Sequence, residues 1–511
     1  MRFKRSIVVV LIIIISLILF PSELMIHFIN FLNIYPIVYW ISHISAIISV
    51  LTVIITLFWY GNARKRFSSP IKKKTFSSVK IILTIITILG IIQVILSLFA
   101  QELLYQVTSI LFITLSVFFG FRTFVNLSTS LLFRPNIKEF EPPPSVSIII
   151  PAYNEGKVIE KTIRSVLELS YSQKEIFVVD DGSKDDTLKI AKLMETNNPI
   201  RVISKKKNGG KWGALNKGIK SSKSDIIVCI DADTVLDKDA IQPLVRHFID
   251  SKVGAVAGNI KVGNRDKLLT KLQALEYISK LNIQRRSEAF FRKVTVVPGP
   301  LGAFRKSIIK EVGFYTGDTF AEDADLTLKI LRAGYKIKYE PKSIGYTEAP
   351  ISIFDLTKQR YRWYRGLLQV IIKHKGMIFN PKYGTTGLFL IPWVSLNGLI
   401  FTWFNFFAGV WTFILIFNPF SGFLIYIRIY FFWFFFFLII EIAISMYAVY
   451  VDVREKPKIL FYLIVYKLFY GYMINTIRIL SQLEQYLKYP MKWEVIKRTS
   501  AIPIYKELQY V

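Results

Sequence analysis

The chain has 511 residues, 52% hydrophobic and 15% aromatic, and carries a formal net charge of +30 from 66 Lys and Arg against 36 Asp and Glu. The apolar share exceeds the roughly 45–50% of soluble domains and sits in long runs at both ends, which argues against a small soluble protein. Positive-inside bias explains much of the charge, so anionic lipid or phosphorylated substrates are the expected partners, with no nucleic acid. The single cysteine, Cys229, excludes an intrachain disulfide, and His27, His43, His247 and His374 lack zinc-ligand spacing.

In chain order, residues 6–20, 37–60, 79–100 and 107–127 are apolar stretches. Three of them reach the roughly 20 residues that cross a bilayer. The first follows MRFKR without a small-residue cleavage site, so it reads as a retained helix. The loop 61–80 carries seven Lys and Arg and no acid, which places it in the cytosol. Two crossings before it and two after it put residue 135 onward in the cytosol as well. The expected organisation is therefore a transmembrane region over 1–135 of about four helices, a cytosolic domain over 140–350, and interfacial helices over 351–380. A further transmembrane region of two or three helices follows over 385–480, then a basic cytosolic tail over 481–511. Within it, 385–417 and 423–450 read as spans, while Lys467 and Arg478 interrupt 459–480, which reads as a third span or, preferably, an interfacial helix.

From about residue 140 the pattern changes. EPPP at 141–144 is a stiff linker, and short buried strands follow at 145–150, 175–179, 200–204 and 225–230. Helical stretches near 156–169, 184–197 and 212–221 lie between them. Alternation of this kind predicts a parallel, doubly wound α/β sheet whose ligands bind at the carboxyl ends of the strands. PAYNE, DDGS and DAD all fall at such ends.

Asp231 and Asp233 are two residues apart, so in an extended segment both carboxylates face one way. Together with substrate phosphates they suit Mg2+ or Mn2+, although DAD alone fits a solvated turn equally well. In KKKNGGKWGALNKG (205–218), flexible glycines open a helix whose N-terminus favours anions, and Lys211 is placed to meet a phosphate. The Walker A spacing is missing. Glu322 and Asp323 open a predicted helix, either as ordinary N-terminal acids or as the general base for an acceptor hydroxyl. In KQRYRWYRG (358–366), Gln359, Arg362 and Trp363 share one helix face. Arg suits pyrophosphate and Trp a sugar ring; the same face also suits headgroup anchoring. Asp185 or Ser183 is expected to cap the helix after DDGS.

Taken in order, PAYNE (151–155), DDGS (180–183), GGKWGALNKG (209–218), DAD (231–233), PGPLGAFRK (298–306), AED (321–323) and QRYRW (359–363) resemble the processive family-2 glycosyltransferases. These include the cellulose, hyaluronan and poly-N-acetylglucosamine synthases. The match covers roughly 145–370, and KWEVIKRT (492–499) resembles a tail motif of the poly-N-acetylglucosamine branch. The resemblance implies a GT-A-type doubly wound mixed sheet inserted between N- and C-terminal transmembrane helix bundles.

It also implies a UDP-sugar donor and Mg2+ or Mn2+. Ala152, Tyr153, Glu155, Asp180, Asp181, Lys211 and Asp231 would bind the nucleotide sugar, with Asp180 and Asp181 at the uridine. Asp231 and Asp233 would hold the metal, and Asp323, with Glu322 beside it, would be the base of an inverting transfer. Gly299, Gly302 and Phe304 would line the acceptor path, and Gln359, Arg362 and Trp363 would hold pyrophosphate and acceptor. Ala321 stands where many members have Thr.

Three functions follow as expectations. The first is a plasma-membrane polysaccharide synthase, with UDP-N-acetylglucosamine the foremost donor, coupled export, and an accessory subunit as a possible partner. The second is a transferase acting on a membrane lipid. The third, a transporter or regulator with a binding-only domain, rests on the single intramembrane acid Glu441.

Overall fold

The computed structural model describes residues 99–135, 141–417 and 438–490, together with single positions at 88, 91, 92, 95, 499 and 502. The expected crossings at 6–20 and 37–60, the basic loop 61–80, and most of 79–100 and of the tail lie outside the described residues, as does the first half of 423–450. The chain divides into two compact units.

The first unit comprises Met1–Val125, Asn397–Tyr450 and Lys456–Pro490. Its described parts are helical. The expected span at 107–127 lies inside one helix, Gln101–Leu132. The helical run Thr386–Trp411 leads into the unit, and Pro457–Tyr486 belongs to it; at 26 and 30 residues, both are long and apolar enough to cross a membrane. The second of these contains the ambiguous stretch 459–480 in one continuous run. Glu441, the acid behind the transporter reading, lies 3.7 Å from the Lys467 ammonium. A paired acid in an apolar helix is ordinary charge neutralisation.

The second unit comprises Asn126–Leu396, Val451–Glu455 and Met491–Val511. It holds an eight-stranded sheet in the order β3-β2-β1-β4-β7-β6-β8-β5. The strands are β1 Val146–Ala152, β2 Lys174–Asp180, β3 Ile200–Ser204, β4 Ile226–Cys229, β5 Thr234–Leu236, β6 Val253–Val262, β7 Gly302–Arg305 and β8 Lys336–Thr347. β1 to β4 pair in parallel, as the sequence predicts. The remaining strands make the sheet mixed: β7 runs antiparallel to β4 and β6, β8 parallel to β6, and β5 antiparallel to β8. Ile148, Ile149 and Ile150 on β1 are fully buried, as a strand covered on both faces requires. Each such side chain contributes about 1.5–3 kcal/mol. Cys229 is buried too, and burial pushes its thiol up to about 12, so it acts as a small packing residue.

The five-residue segment Val451–Glu455 is bound into this unit by charge. Lys261 on β6 sits 3.0 Å from Asp452 and 2.9 Å from Glu455, and Arg265 holds Glu455 through two nitrogens at 2.8 and 2.9 Å. Asn259 and Asn282 donate to the two oxygens of Asp452 at 3.0 and 2.7 Å. Burial opposes the charge on Glu455, but Arg265 and Lys261 outweigh it and bring its carboxyl down to about 2.

Candidate active site

Sheet topology gathers the site. The carboxyl ends of β1, β2 and β4 lie side by side and deliver PAYNE, DDGS and DAD to one edge. Because β7 is antiparallel to β4, with Gly302 opposite Cys229, the PGPLG loop that precedes β7 arrives at the same edge as DAD. The pairing of β5 with β8 sets Thr234 opposite Thr347, which brings the end of β8 beside Asp233.

At the centre is an ammonium among carboxylates. Lys211, the first residue of the helix Lys211–Ser221, lies 2.5 Å from Asp231 Oδ1 and 3.4 Å from Glu322 Oε1. Burial works against its charge, but Asp231, Glu322 and Asp323 outweigh it and hold the ammonium well above its ordinary range. Glu322 and Asp323 open the helix Glu322–Arg332 without a side-chain N-cap. Asp323 accepts from the amides of Gly299 at 3.2 Å and Ala324 at 2.8 Å. Burial raises its carboxyl, Glu322 raises it further, Lys211 lowers it, and the result is about 6. Gly299 fits because a Cβ there would stand 2.6 Å from the Lys211 ammonium and 3.2 Å from Asp231.

The other predicted donor-site residues have definite local partners. Asp180 accepts from the amides of Gly182 and Ser183, shaping the DDGS turn. Asp181 pairs with Lys205 and accepts from the Gly209 amide at 3.1 Å, tying the basic loop to the end of β2. The N-cap of the helix Thr187–Asn197 is Asp186, not Asp185 or Ser183 as expected, and it makes no side-chain cap bond; Asp185 instead accepts from Thr187 N at 3.1 Å in the turn before it. Ala152 closes β1 and is buried, Tyr153 is half-buried, and the Glu155 amide donates to Thr187 Oγ1 at 2.8 Å. Asp231 and Asp233 lie in the turn between β4 and β5, not in an extended strand end as expected, since the Thr234 amide closes back on the Asp231 carbonyl at 3.1 Å. Asp233 Oδ1 faces the hydroxyls of Thr234 at 3.3 Å and Thr347 at 3.5 Å. Gly302 and Phe304 are both buried on β7, and Phe304 meets Tyr315 edge-on.

Gln359, Arg362 and Trp363 lie on one face of the helix Ile353–Lys373, which Ser352 caps by accepting from Asp355 N. Gln359 is buried, and its side-chain oxygen has no hydrogen-bond partner among the described residues. Sequence reasoning missed the residues that hold this helix. Arg360 is fully buried and forms a fork with Glu276, at 3.2 and 2.8 Å. Its guanidinium carbon stands 4.2 Å from the centroid of the Trp363 ring. Asp325, two residues after the predicted base, accepts from His374 and Lys373 at 2.9 Å each and binds the end of this helix to the Glu322–Arg332 helix. The AEDAD run is the only signal that marked it.

Residues 147–313 match the family model for glycosyl transferase family 2. They form a family 2 glycosyltransferase domain. Poly-beta-1,6-N-acetyl-D-glucosamine synthase of Staphylococcus aureus strain COL is 35% identical to this chain over 266 residues, which is 52% of this chain and 64% of the relative. The synthase of the same name from Staphylococcus epidermidis is 34% identical over the same share. The chain thus spans 64% of the length of these curated relatives. Among solved structures, a mannosyltransferase from Pyrobaculum calidifontis, in complex with GDP-Man and Mn2+, shares the fold. Its TM-score is 0.56 at 18% identity, covering 75% of this chain and all of that one.

Two features of the family 2 domain fit a divalent cation. The turn between β4 and β5 offers two hard carboxylates, Asp231 and Asp233. A positive charge already stands on one of them, because the Lys211 ammonium bridges Asp231 and Glu322. Among the described residues, no group of three or more His, Cys, Asp or Glu forms a closed cage. A cation here would rely on substrate oxygens to complete its coordination, the usual arrangement for Mg2+ with phosphates.

Proposed function

We propose that this chain is a membrane-embedded inverting glycosyltransferase. It transfers a sugar from a UDP-sugar, UDP-N-acetylglucosamine foremost, to a growing β-linked extracellular polysaccharide, with export coupled to synthesis. The observation that carries the reading is Asp323, a half-buried carboxyl raised to about 6 in a family 2 domain, beside the Lys211–Asp231 pair. Similarity to the staphylococcal poly-beta-1,6-N-acetyl-D-glucosamine synthases supports the donor and the polymer. The two candidate crossing helices support the membrane setting, and the Mn2+ complex of the fold neighbour accords with a divalent cation.

Asp323 takes the proton of an acceptor hydroxyl, whose oxygen attacks the anomeric carbon from the face opposite the nucleotide. The bond from that carbon to the diphosphate oxygen breaks, and its electron pair leaves with UDP. Lys211 neutralises part of that charge. Asp231 and Asp233 would hold a divalent cation, which when bound would neutralise the rest. Arg362 meets the pyrophosphate, and Trp363, held by Arg360, offers its ring to the acceptor sugar.

The test is to place the purified protein in vesicles, offer a panel of radiolabelled UDP-sugars with Mg2+ or Mn2+, and size the product. Metal-dependent label in a large polymer, absent in Asp323→Asn, is the expected result. Label confined to an organic-extractable product would replace the polymer by a lipid acceptor. Intact UDP binding with no transfer from any donor would count against catalysis.

A further inference from the structure

The Lys211 ammonium stands where a cation is expected, at 2.5 Å from Asp231 and 3.4 Å from Glu322. We infer that Lys211 is the resident counter-ion of the metal place, and that a divalent cation enters only together with a nucleoside diphosphate that takes the ammonium over. This rests on the nucleotide-sugar reading of the site.

The charges require such an exchange. Asp231, Glu322 and Asp323 all act on Lys211, so three carboxylates share one ammonium in a largely buried place. Without it they would repel one another at a site where desolvation is costly. A divalent cation arriving at Asp231 would meet the ammonium at contact distance and be repelled. Lys211 cannot give way by sliding toward the PGPLG loop. Gly299 leaves no room there: even a methyl group in place of its hydrogen would approach the ammonium to 2.6 Å. The loop is itself pinned, because the Gly299 amide donates to Asp323 at 3.2 Å. The remaining exit is toward the strand ends, where a diphosphate would lie. Its oxygens provide both the acceptor that draws Lys211 off Asp231 and the further ligands the cation lacks among the described residues.

Nucleotide and metal are therefore thermodynamically coupled through one side chain, and the coupling is reciprocal. The experiment titrates Mn2+ into the full-length protein in detergent, following free Mn2+ by electron paramagnetic resonance, with and without UDP. Retention of labelled UDP is measured in the same samples. The wild type is expected to bind Mn2+ weakly alone and about 5–150-fold more tightly with UDP, the usual range for coupled sites. Lys211→Met is expected to bind Mn2+ without UDP at least about 5-fold more tightly than the wild type, with a smaller gain on adding UDP. Lys211→Arg, which keeps the positive charge, is expected to behave as the wild type and serves if the Met variant does not fold. Equal Mn2+ affinity of the wild type and Lys211→Met in the absence of UDP, with UDP retained by both, would overturn the counter-ion role and leave the donor site standing. No retention of UDP by the wild type at any Mn2+ concentration would remove the donor-site reading, and this inference with it.

Discussion

Asp323 shows how one carboxyl is tuned by its neighbours. Its ordinary value of 3.8 is raised to about 6 by burial first and by Glu322 second, while Lys211 pulls it down. A base must be deprotonated to act, so kcat/KM is expected to fall as pH drops through about 6 and to level off above it. Removing the negative charge at position 322 lowers the Asp323 value, so Glu322→Gln should move the acidic limb to lower pH. A pH profile of both proteins checks this; a limb that stays in place in Glu322→Gln would mean that another group sets it. Asp323→Asn should lose about 10²–10⁴-fold in turnover at every pH. Asp323, Asp231 and Lys211 were legible in the sequence because each stands in a compact motif next to a strand or helix end. The buried pair of Arg360 and Glu276 was not, since 84 residues separate its partners. Within QRYRW nothing in the sequence distinguishes Arg360, which forks onto Glu276, from Arg362, proposed for the pyrophosphate.

At the scale of elements, the first half of the sheet could be read and the second half could not. β1 to β4 alternate with helices and are runs of Ile and Val. β5 and β7 have only three and four residues, too few to show a period. β6 is broken by two glycines, and β8 contains Pro341, which lowers its strand signal. Yet β7 is the strand that folds PGPLG back onto DAD. A second contact between elements also escapes the sequence. Gly366 lies where the Ile353–Lys373 helix meets the residues just before Glu322 and Asp323: a Cβ there would stand 2.8 Å from Ala321 N and 2.9 Å from Phe320 C. Gly366→Ala gains up to about 1 kcal/mol of helix propensity, while forcing backbone apart in a packed core costs about 1–3 kcal/mol. The clash should win, because backbone cannot rotate away as a flexible side chain can. The expected variant melts at lower temperature, transfers sugar poorly and holds UDP less tightly, because Arg362, proposed for the pyrophosphate, stands on the same helix. A variant of raised melting temperature and full activity would show that the two elements are not pressed together as described.

The folded unit that carries the site is not continuous in the chain, and that has a measurable consequence for the whole molecule. Its sheet lies within Asn126–Leu396, but Lys261 on β6 finds its counter-charges in Val451–Glu455, about 190 residues later in sequence. The side chains of Lys261, Asp452 and Glu455 are each only 1–2% exposed. Solvent cannot replace a lost counter-charge there, and removing one partner of a buried pair costs up to about 3–5 kcal/mol, less where Lys261 keeps Glu455 at 2.9 Å. Asp452→Ala also strands the amides of Asn259 and Asn282, which donate to its two oxygens. It should therefore lower the melting temperature of the full-length protein in detergent and speed hydrogen exchange along β6, although Asp452 is far from Asp323 in sequence. A double-mutant cycle separates this from simple loss of packing. Lys261→Met removes the ammonium that Asp452→Ala would leave to Glu455 alone, so the double variant should be more stable than the sum of the single losses predicts. The Glu455 fork with Arg265 remains in all three variants and keeps the segment bound. Acid gives an independent readout: Glu455, held at about 2 in the folded chain against an ordinary 4.5, stabilises fully above the ordinary value and loses that contribution as pH falls through the folded one. Additive losses in the cycle, or a melting temperature untouched by Asp452→Ala, would mean that the segment rests on the sheet without bracing it.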